Sequence, residues 1–191
     1  MHFSTTITLL LSLSSAIAAP INKRAAAGVL KVQTYDEFNV SGGVAGNALD
    51  EVNAAFPVSS APSISHEIPL NTSQVDQSDL AGVAASDLAI IASAAQISED
   101  AEVNTGGFDD AITAAGGTGT TTGTALQNGK IKNKVLKLQT DVLRIQIEVA
   151  QGNTGSQSEL AGQQAKLATN VALDKAAAGQ TSTAISFSGS D

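Results

Sequence analysis

The sequence predicts a mainly α-helical protein: a small bundle of four to five helices with an antiparallel C-terminal helical hairpin and flexible Gly/Ser/Thr-rich loops. The first observation is a long segment, residues 129–152, whose apolar side chains recur at helical spacing. The second is another helical run, residues 160–179, which follows a short connection. The third is that convincing strand alternation is confined to one candidate, VLKVQTY at residues 29–35.

The clearest helix signal is GKIKNKVLKLQTDVLRIQIEVAQG, residues 129–152. Apolar residues there recur at spacings of 4, 3, 4, 3 and 4, which places them on one helix face. They are Ile131, Val135, Leu138, Val142, Ile145 and Val149, with Leu136, Leu143 and Ile147 widening the stripe. Gly129 and Gly152 predict the two ends, because glycine readily adopts the left-handed conformation of a helix stop.

The next helix is predicted to begin at Ser156-Gln-Ser-Glu159, a capping box whose hydroxyl and carboxylate can each bind an unpaired backbone amide. The run ends at Gly179. The residues in helical register are Leu160, Ala161, Ala165, Ala168, Val171 and Ala172. Because the connection QGNTGS is short, we expect this helix to pack antiparallel to the preceding one.

Three further helical segments are predicted upstream. Ser73-Gln-Val-Asp76 caps a run that extends to about Ser98. Its shared face is formed by Leu80, Ala84, Leu88, Ile91 and Ala95. A shorter helix ends at Pro57, which cannot continue the hydrogen-bond ladder. That helix is marked by Val44, Ala48, Leu49, Val52, Ala55 and Phe56. Residues 108–115, FDDAITAA, predict one or two more turns.

The domain organisation follows from these runs and from the Gly/Ser/Thr-rich stretches between them. After trimming, about 167 residues remain, enough for one domain. We expect a signal peptide at 1–18, a pro-segment at 19–24, a helical domain at 25–179 with loops at 57–74 and 116–129, and a flexible tail at 180–191.

The N-terminal segment predicts export. Residues 5–19 are apolar but shorter than the ~20 residues that a membrane-spanning helix needs, and the small residues ending at Ala18 suit signal peptidase. The dibasic pair Lys23-Arg24 then predicts a second cut, so that the working protein begins at Ala25. The sequence therefore predicts a secreted, extracellular protein.

Two N-glycosylation sequons lie beyond this leader, at Asn39-Val-Ser41 and Asn71-Thr-Ser73. The chain contains no cysteine, so we expect packing rather than disulfides to stabilise it outside the cell.

The charge of the chain limits its partners. The formal net charge is −8, and loss of Lys23 and Arg24 makes it −10 because the discarded stretch contains no acid. Such a chain is repelled by nucleic acid and by anionic lipid, so neither is an expected partner of the mature protein. The sequence leaves the oligomeric state open.

Four lysines open the long helix in this otherwise acidic chain: Lys130, Lys132, Lys134 and Lys137. Cations at a helix start oppose the helix dipole, so something must offset them. One interpretation is internal pairing with acids such as Glu99, Asp100 and Glu102. The alternative is contact with an anionic polymer.

Residues for catalysis or metal binding are scarce. Beyond the leader there is a single histidine, His66, in a Pro/Ser-rich loop, and no nucleophile motif accompanies it. Asp100, Glu102 and Asn104 alternate like the start of a calcium loop, but Thr105 stands where the loop glycine belongs. We expect no catalytic residue, no metal site and no cofactor.

Paired carboxylates, Glu99-Asp100 and Asp109-Asp110, are the residue type that glycoside hydrolysis uses. The chain has no tryptophan and one tyrosine, so a sugar-stacking cleft is difficult to build. Helix capping and solvation are the favoured roles of these acids.

Three stretches carry a family resemblance: YDEFNVSGGVAGNALDEVNAAFP at 35–57, GKIKNKVLKLQ at 129–139 and NVALDKAAAG at 170–179. They resemble a group of fungal small secreted proteins without an assigned activity. A looser similarity extends to fungal cell-wall and hydrophobic-surface-binding proteins, which are helical and rich in Ala, Ser and Thr. The resemblance implies an extracellular or wall-associated fungal protein and supplies no catalytic residue.

Three functions remain open. The first is a non-enzymatic secreted protein, associated with the cell wall or interacting at a surface, with wall polysaccharide or a host surface component as partner. The second is a helical carrier of a lipid or another apolar ligand. The third is a secreted hydrolase whose site has no recognisable motif.

Overall fold

The computed structural model describes residues 28–57 and 80–188, which form a mainly helical bundle, as the sequence predicts. The α-helices, in chain order, are α1 (Tyr35–Phe38), α2 (Ala48–Ala55), α3 (Ala85–Val103), α4 (Phe108–Ala114), α5 (Thr121–Ala150) and α6 (Leu160–Ala176). Two short strands, β1 (Gly43–Val44) and β2 (Thr181–Ser182), pair antiparallel. Short 3-10 turns occupy Leu80–Gly82 and Gln157–Glu159.

The 30-residue helix α5 is the centre of the bundle and contacts α2, α3, α4, α6 and β2. The predicted apolar stripe is its core face, with Val135, Leu138, Val142 and Ile145 buried. The stripe is less deep at its ends, since Ile131 and Val149 are only partly buried. Amphipathic periodicity therefore places the second half of this helix correctly.

The predicted loop at 116–129 is wrong in its second part, because α5 begins at Thr121 rather than after Gly129. Thr120 caps the helix, its Oγ1 accepting from the Gly123 N–H at 2.9 Å. Gly129 is a close-approach residue inside the helix: a Cβ there would lie 2.0 Å from the Thr183 carbonyl oxygen. From the sequence alone, a glycine that is required by a close contact inside a helix cannot be distinguished from a glycine that ends a helix.

Helix α3 lies later in the chain than predicted. It begins at Ala85, after the turn at Leu80–Gly82, and continues to Val103. The proposed cap at Ser73 and Asp76 lies outside the described residues. Ser98, the expected end, lies inside the helix, and its hydroxyl donates to the Ala94 carbonyl of the preceding turn at 2.7 Å.

The strand expected at 29–35 is absent. Residues 28–34 form neither helix nor strand, and α1 begins at Tyr35. The Glu37 carboxylate accepts from the Thr34 N–H at 2.8 Å and from its hydroxyl at 3.0 Å, so a capping box starts this helix. The bond from the Thr34 N–H is the main cause of the lowered pKa of Glu37.

The helix expected from Val44 to Phe56 is shorter than predicted. Val44 belongs to β1, and α2 begins at Ala48 and ends before Pro57. The predicted turns at 108–115 are confirmed as α4, whose first residue, Phe108, is fully buried.

The C-terminal hairpin is confirmed. The chain leaves α5 at Ala150 and enters α6 at Leu160, while after α6 the Thr183 N–H donates to the Ala125 carbonyl near the start of α5 at 2.9 Å. The end of α6 therefore lies beside the beginning of α5, which makes the helices antiparallel.

Two details of α6 differ from the prediction. Neither Ser156 nor Glu159 caps it through a side-chain bond, and a 3-10 turn precedes it instead. The predicted alanine face is exposed at Ala161, Ala165, Ala168 and Ala172. The buried positions are Leu167, Asn170 and Asp174. Two of the three buried positions are polar: Asp174 binds the start of α2, while Asn170 donates to the Lys166 carbonyl of its own helix. Hydropathy alone misses this inner face.

The tail expected to be flexible at 180–191 is packed as far as it is described. Ser182 pairs with Gly43 in the small sheet. Asp36 accepts from the Phe187 N–H at 3.1 Å and from the Ser186 hydroxyl, and the Phe187 ring meets Tyr35 edge-on at 6.0 Å. Residues 189–191 lie outside the described part.

The core is continuous and mostly aliphatic. It joins Tyr35, Phe38 and Phe56 to apolar residues of α3, α5 and α6. None of the helices in the described ranges is long and apolar enough to cross a membrane.

Candidate functional site

The four lysines of α5 define the candidate surface, and two of them share one acid. Lys134 Nζ lies 2.8 Å from Glu102 Oε1, while Lys130 Nζ lies 3.6 Å from the same atom and 2.5 Å from Asp109 Oδ1. Since α5 begins at Thr121, these lysines lie in the middle of the helix and not at its start. The predicted conflict with the helix dipole, which is confined to the first turn, therefore does not arise, and acids of α3 and α4 pair with the lysines.

Lys137 contacts Glu99 on α3. The side chains of Lys130, Lys134 and Lys137 remain partly exposed, at 16%, 35% and 26%. The arrangement matches internal pairing, and an anionic polymer would have to compete with the acids already in place. Contact of these three lysines with such a polymer stays a prediction.

Lys132 does not belong to that surface, because its side chain is fully buried. Its ammonium donates to the carbonyls of Gly42 at 2.9 Å and Val44 at 3.1 Å, and lies 2.8 Å from Glu51 Oε2. An anionic polymer cannot reach this group, so its predicted role is corrected here to an internal tie between α5, β1 and α2. The sequence did contain an indication that Lys132 is buried, since it lies three residues before Val135 and therefore on the same side of the helix as the apolar stripe.

Two buried carboxylates bind backbone amides far away in the chain. Asp174, 2% exposed, accepts from the N–H groups of Gly46 and Ala48, both at 2.9 Å, and so binds the start of α2. Asp87, 3% exposed, accepts from Val29 at 2.9 Å and from Leu30 at 3.0 Å. No local pattern predicts these bonds, because they join positions 57 to 128 residues apart.

A buried polar chain connects α1 to α5 and α3. The Tyr35 hydroxyl donates to Asn133 Oδ1 at 2.8 Å, and Asn133 Nδ2 donates to the Ser98 carbonyl at 2.8 Å. Burial is the main cause that raises the pKa of Tyr35 to about 12. The hydroxyl is therefore a proton donor throughout the physiological pH range, which suits a structural bond.

An open depression lies between α1, the residues leading into β1, α2 and the tail. It has a volume of about 440 Å³, is open to solvent, and is lined by Asp36, Asn39, Val40, Gly42, Glu51 and Ala184. The predicted sequon residue Asn39 therefore stands beside two carboxylates and an apolar surface. Sequence reasoning found Asn39 and missed this setting, because the lining residues come from three separate parts of the chain: residues 36–42, Glu51 and Ala184.

The acids considered for calcium binding or hydrolysis are engaged in local contacts. Asp100 accepts from Gln96 Nε2 at 3.0 Å, and Asp110 accepts from the Gly106 N–H at 2.8 Å. Glu102 faces Lys130 and Lys134 rather than Asn104. Within 28–57 and 80–188, no group of three or more His, Cys, Asp or Glu residues is arranged to hold a metal ion.

An enclosed pocket beside Phe38 and Phe56 has a volume of about 20 Å³, with Ile90 and Ala94 also lining it. This is room for roughly one water molecule, far below the ~300 Å³ at which small-molecule pockets begin. A lipid would need this core to open.

Several predicted site residues lie outside the described residues: Ala18, Lys23, Arg24, His66 and Asn71. The processing roles of Ala18, Lys23 and Arg24 and the glycosylation of Asn71 stay predictions from sequence, as does the expectation that His66 is not catalytic.

Comparison with known proteins gives one family. The model of a family described as a domain of unknown function, DUF8454, matches residues 30–186. No curated protein and no solved structure matches the chain significantly. The matched range covers every helix and strand described above.

Proposed function

The chain belongs to the DUF8454 family, and we propose that it is a secreted, non-enzymatic protein that is associated with the cell wall or interacts at the surface of a fungus. The observation that carries the proposal is that charged side chains of the kind used in catalysis are occupied in holding the fold together. Lys132, Asp87 and Asp174 are buried and bind backbone groups of this same chain. Such side chains stabilise a scaffold and are not free to act on a substrate.

Export is supported by the position of the folded region. The family match begins at residue 30, beyond Lys23-Arg24, so cleavage after Arg24 would leave the matched region whole. The fungal assignment rests on the resemblance of residues 35–57, 129–139 and 170–179 to small secreted proteins.

The surface favours a neutral or cationic partner. The trimmed chain has a formal charge of −10, and the exposed lysines in the middle of α5 already face acids. Long-range repulsion therefore disfavours an anionic polymer and leaves neutral wall polysaccharide or a host surface component as the partner.

Expression of the full chain with a C-terminal tag in a fungal host tests the proposal. We expect the mature polypeptide to begin at Ala25 and to divide between medium and washed walls. Replacement of both Lys23 and Arg24 by Ala should leave residues 19–24 attached. Retention of Met1 in an intracellular product would contradict the proposal.

The partner is tested by retention on isolated wall polysaccharide. The Lys130→Ser, Lys134→Ser, Lys137→Ser triple variant should be retained as well as the unchanged protein. Conversion of the same three residues to Arg is the charge-matched control. Loss of retention in the Ser variant alone would favour an anionic-polymer contact instead.

A further inference from the structure

We propose that Asn39 carries an N-linked glycan whose first sugar lies in the depression between α1, α2 and the C-terminal tail. This inference rests on the secretion proposed above, because the modification is made in the secretory pathway. It specifies which sequon is used, where the sugar packs and when it must be attached.

Both polar atoms of the Asn39 side-chain amide form hydrogen bonds within the protein. Its Oδ1 accepts from the Ser41 N–H at 3.2 Å, and its Nδ2 donates to the Asp36 carbonyl at 3.2 Å. Nδ2 carries two hydrogens, so replacement of one by a sugar leaves the other for the bond to Asp36. The attachment point is therefore fixed at the rim of the depression.

The lining of the depression suits a sugar. Asp36 and Glu51 carry carboxylate oxygens with lone pairs beyond those used by their present partners, so they can accept from sugar hydroxyls. Val40 and Ala184 offer apolar surface to the C–H face of a pyranose ring.

The shape of the depression favours an attached ligand over a free one. Its volume of about 440 Å³ is within the ~300–1,000 Å³ range of small-molecule sites, but it is open to solvent. A free sugar would lose translational and rotational freedom for few contacts. A sugar already bonded to Asn39 has lost that freedom, so weak contacts suffice to hold it.

The structure also constrains the time of attachment. Ser41, the hydroxyl residue of the sequon, is fully buried, and its carbonyl accepts from the Ser182 hydroxyl at 2.5 Å. A transferase that must engage both Asn39 and Ser41 can do so only before the tail closes over this segment.

The chemical step is a transfer from a lipid-linked oligosaccharide diphosphate. Asn39 Nδ2 forms a bond to C1 of the first N-acetylglucosamine, the bond from C1 to the diphosphate breaks, and Nδ2 loses one proton. The lipid diphosphate leaves, and no oxidant or reductant is required.

In the test, the protein is expressed in a glycosylating eukaryotic host with the signal peptide of another secreted protein placed before it, the borrowed leader. The Asn71→Gln substitution leaves Asn39 as the remaining candidate. Glycosidase release in heavy-oxygen water should convert Asn39 to labelled Asp, detected by mass spectrometry. Ser41→Thr should keep the modification and Ser41→Ala should remove it. Secreted protein with unmodified Asn39 would overturn the inference.

The seating of the sugar is tested by trimming the glycan to one N-acetylglucosamine. The trimmed protein should unfold about 2–4 °C above the same protein made without glycan in a bacterial host. Ala184→Gln, at an exposed position in the depression, should reduce that difference to below about 1 °C. Ala165→Gln, on the exposed face of α6, is the matched control and should preserve it.

Equal unfolding temperatures with and without the sugar would overturn the seating. Folded bacterial protein should also resist glycosylation by the purified transferase, and efficient modification would contradict attachment before folding. Failure of the natural leader to direct export, with Asn39 still modified behind the borrowed leader, would instead count against the proposed function.

Discussion

In the first half of α5, Thr121 to Lys134, the buried residues are mostly glycine or polar, whereas the second half, Val135 to Ala150, buries mostly aliphatic side chains. The first half faces residues 42–44 and the tail through Lys132, Asn128 and Gly129. The second half joins the aliphatic core with α3 and α6.

The difference follows from what each half packs against. Helices satisfy most of their own backbone groups, so they can be covered by aliphatic side chains. The non-helical segments 42–44 and 181–183 instead present backbone carbonyls to the first half of α5, and those of Gly42, Val44 and Thr181 accept from Lys132 and Asn128. One helix therefore uses two kinds of packing along its length.

The largest effect is expected at Lys132. Lys132→Met keeps most of the side-chain volume but removes the ammonium donor of the Gly42 and Val44 carbonyls and the cation beside Glu51, which keeps its bond from Asn47 Nδ2. We expect a loss of about 3–5 kcal/mol in the free energy of unfolding, measured with urea. Lys134→Met is the surface control and should cost about 1 kcal/mol or less. Similar losses for the two variants would remove the distinction between the halves.

The second half should respond to volume rather than to polarity. Ile147 is fully buried in the core, and Ile147→Ala should cost about 3 kcal/mol through lost burial and the resulting cavity. The volume-conserving Leu136→Met should cost less than about 1.5 kcal/mol. If Leu136→Met lowered the free energy of unfolding in urea as much as Ile147→Ala, side-chain shape and not only volume would determine the stability of this part of the core.

High pH should affect the bond between α1 and the first half of α5. Burial raises the pKa of Tyr35 from 10.0 to about 12, so the folded state favours the protonated phenol. Its contribution is complete below pH 10 and is lost as pH rises through 12, by about 2–3 kcal/mol in total. Unfolding curves collected from pH 9 to 12 measure this loss.

Tyr35→Phe is the control for that profile. The variant loses the bond to Asn133 and should start about 1 kcal/mol less stable, but its stability should change less between pH 10 and 12. An unchanged alkaline loss in this variant would assign the effect to groups other than Tyr35.

The same contrast explains what the sequence could predict. Periodicity identified the buried stripe from Val135 to Ile147, because aliphatic packing repeats with the helix. The sequence analysis grouped Lys132 with the three other lysines by its charge, although the helical period puts it beside the buried stripe. The bond from Gly46 to Asp174 joins residues 128 positions apart, and no local pattern encodes it.

Of the residues that line the depression, only Asn39 was predicted as a site from the sequence, through its sequon. The depression around it needs Glu51 from α2 and Ala184 from the tail, which are brought together by the fold. The predicted loop boundary at residue 129 was wrong for a related reason. Glycine occurs both in turns and where another segment of the chain approaches closely, and Gly129 is of the second kind.

The smallest effects are expected at two glycines of α5 and α6, one in a tight contact and one at an exposed position. Gly129→Ala would place a Cβ 2.0 Å from the Thr183 carbonyl oxygen, so the tail must shift, and we expect a loss of about 1–3 kcal/mol. Gly162→Ala lies on the exposed face of α6 with no atom within 4 Å of the new Cβ, and should stabilise by about 0.5–1 kcal/mol through helix propensity. Urea unfolding measures both. Stabilisation by Gly129→Ala would mean that the tail does not pack closely against α5, and the polar half of the helix would then lose one of its two partners.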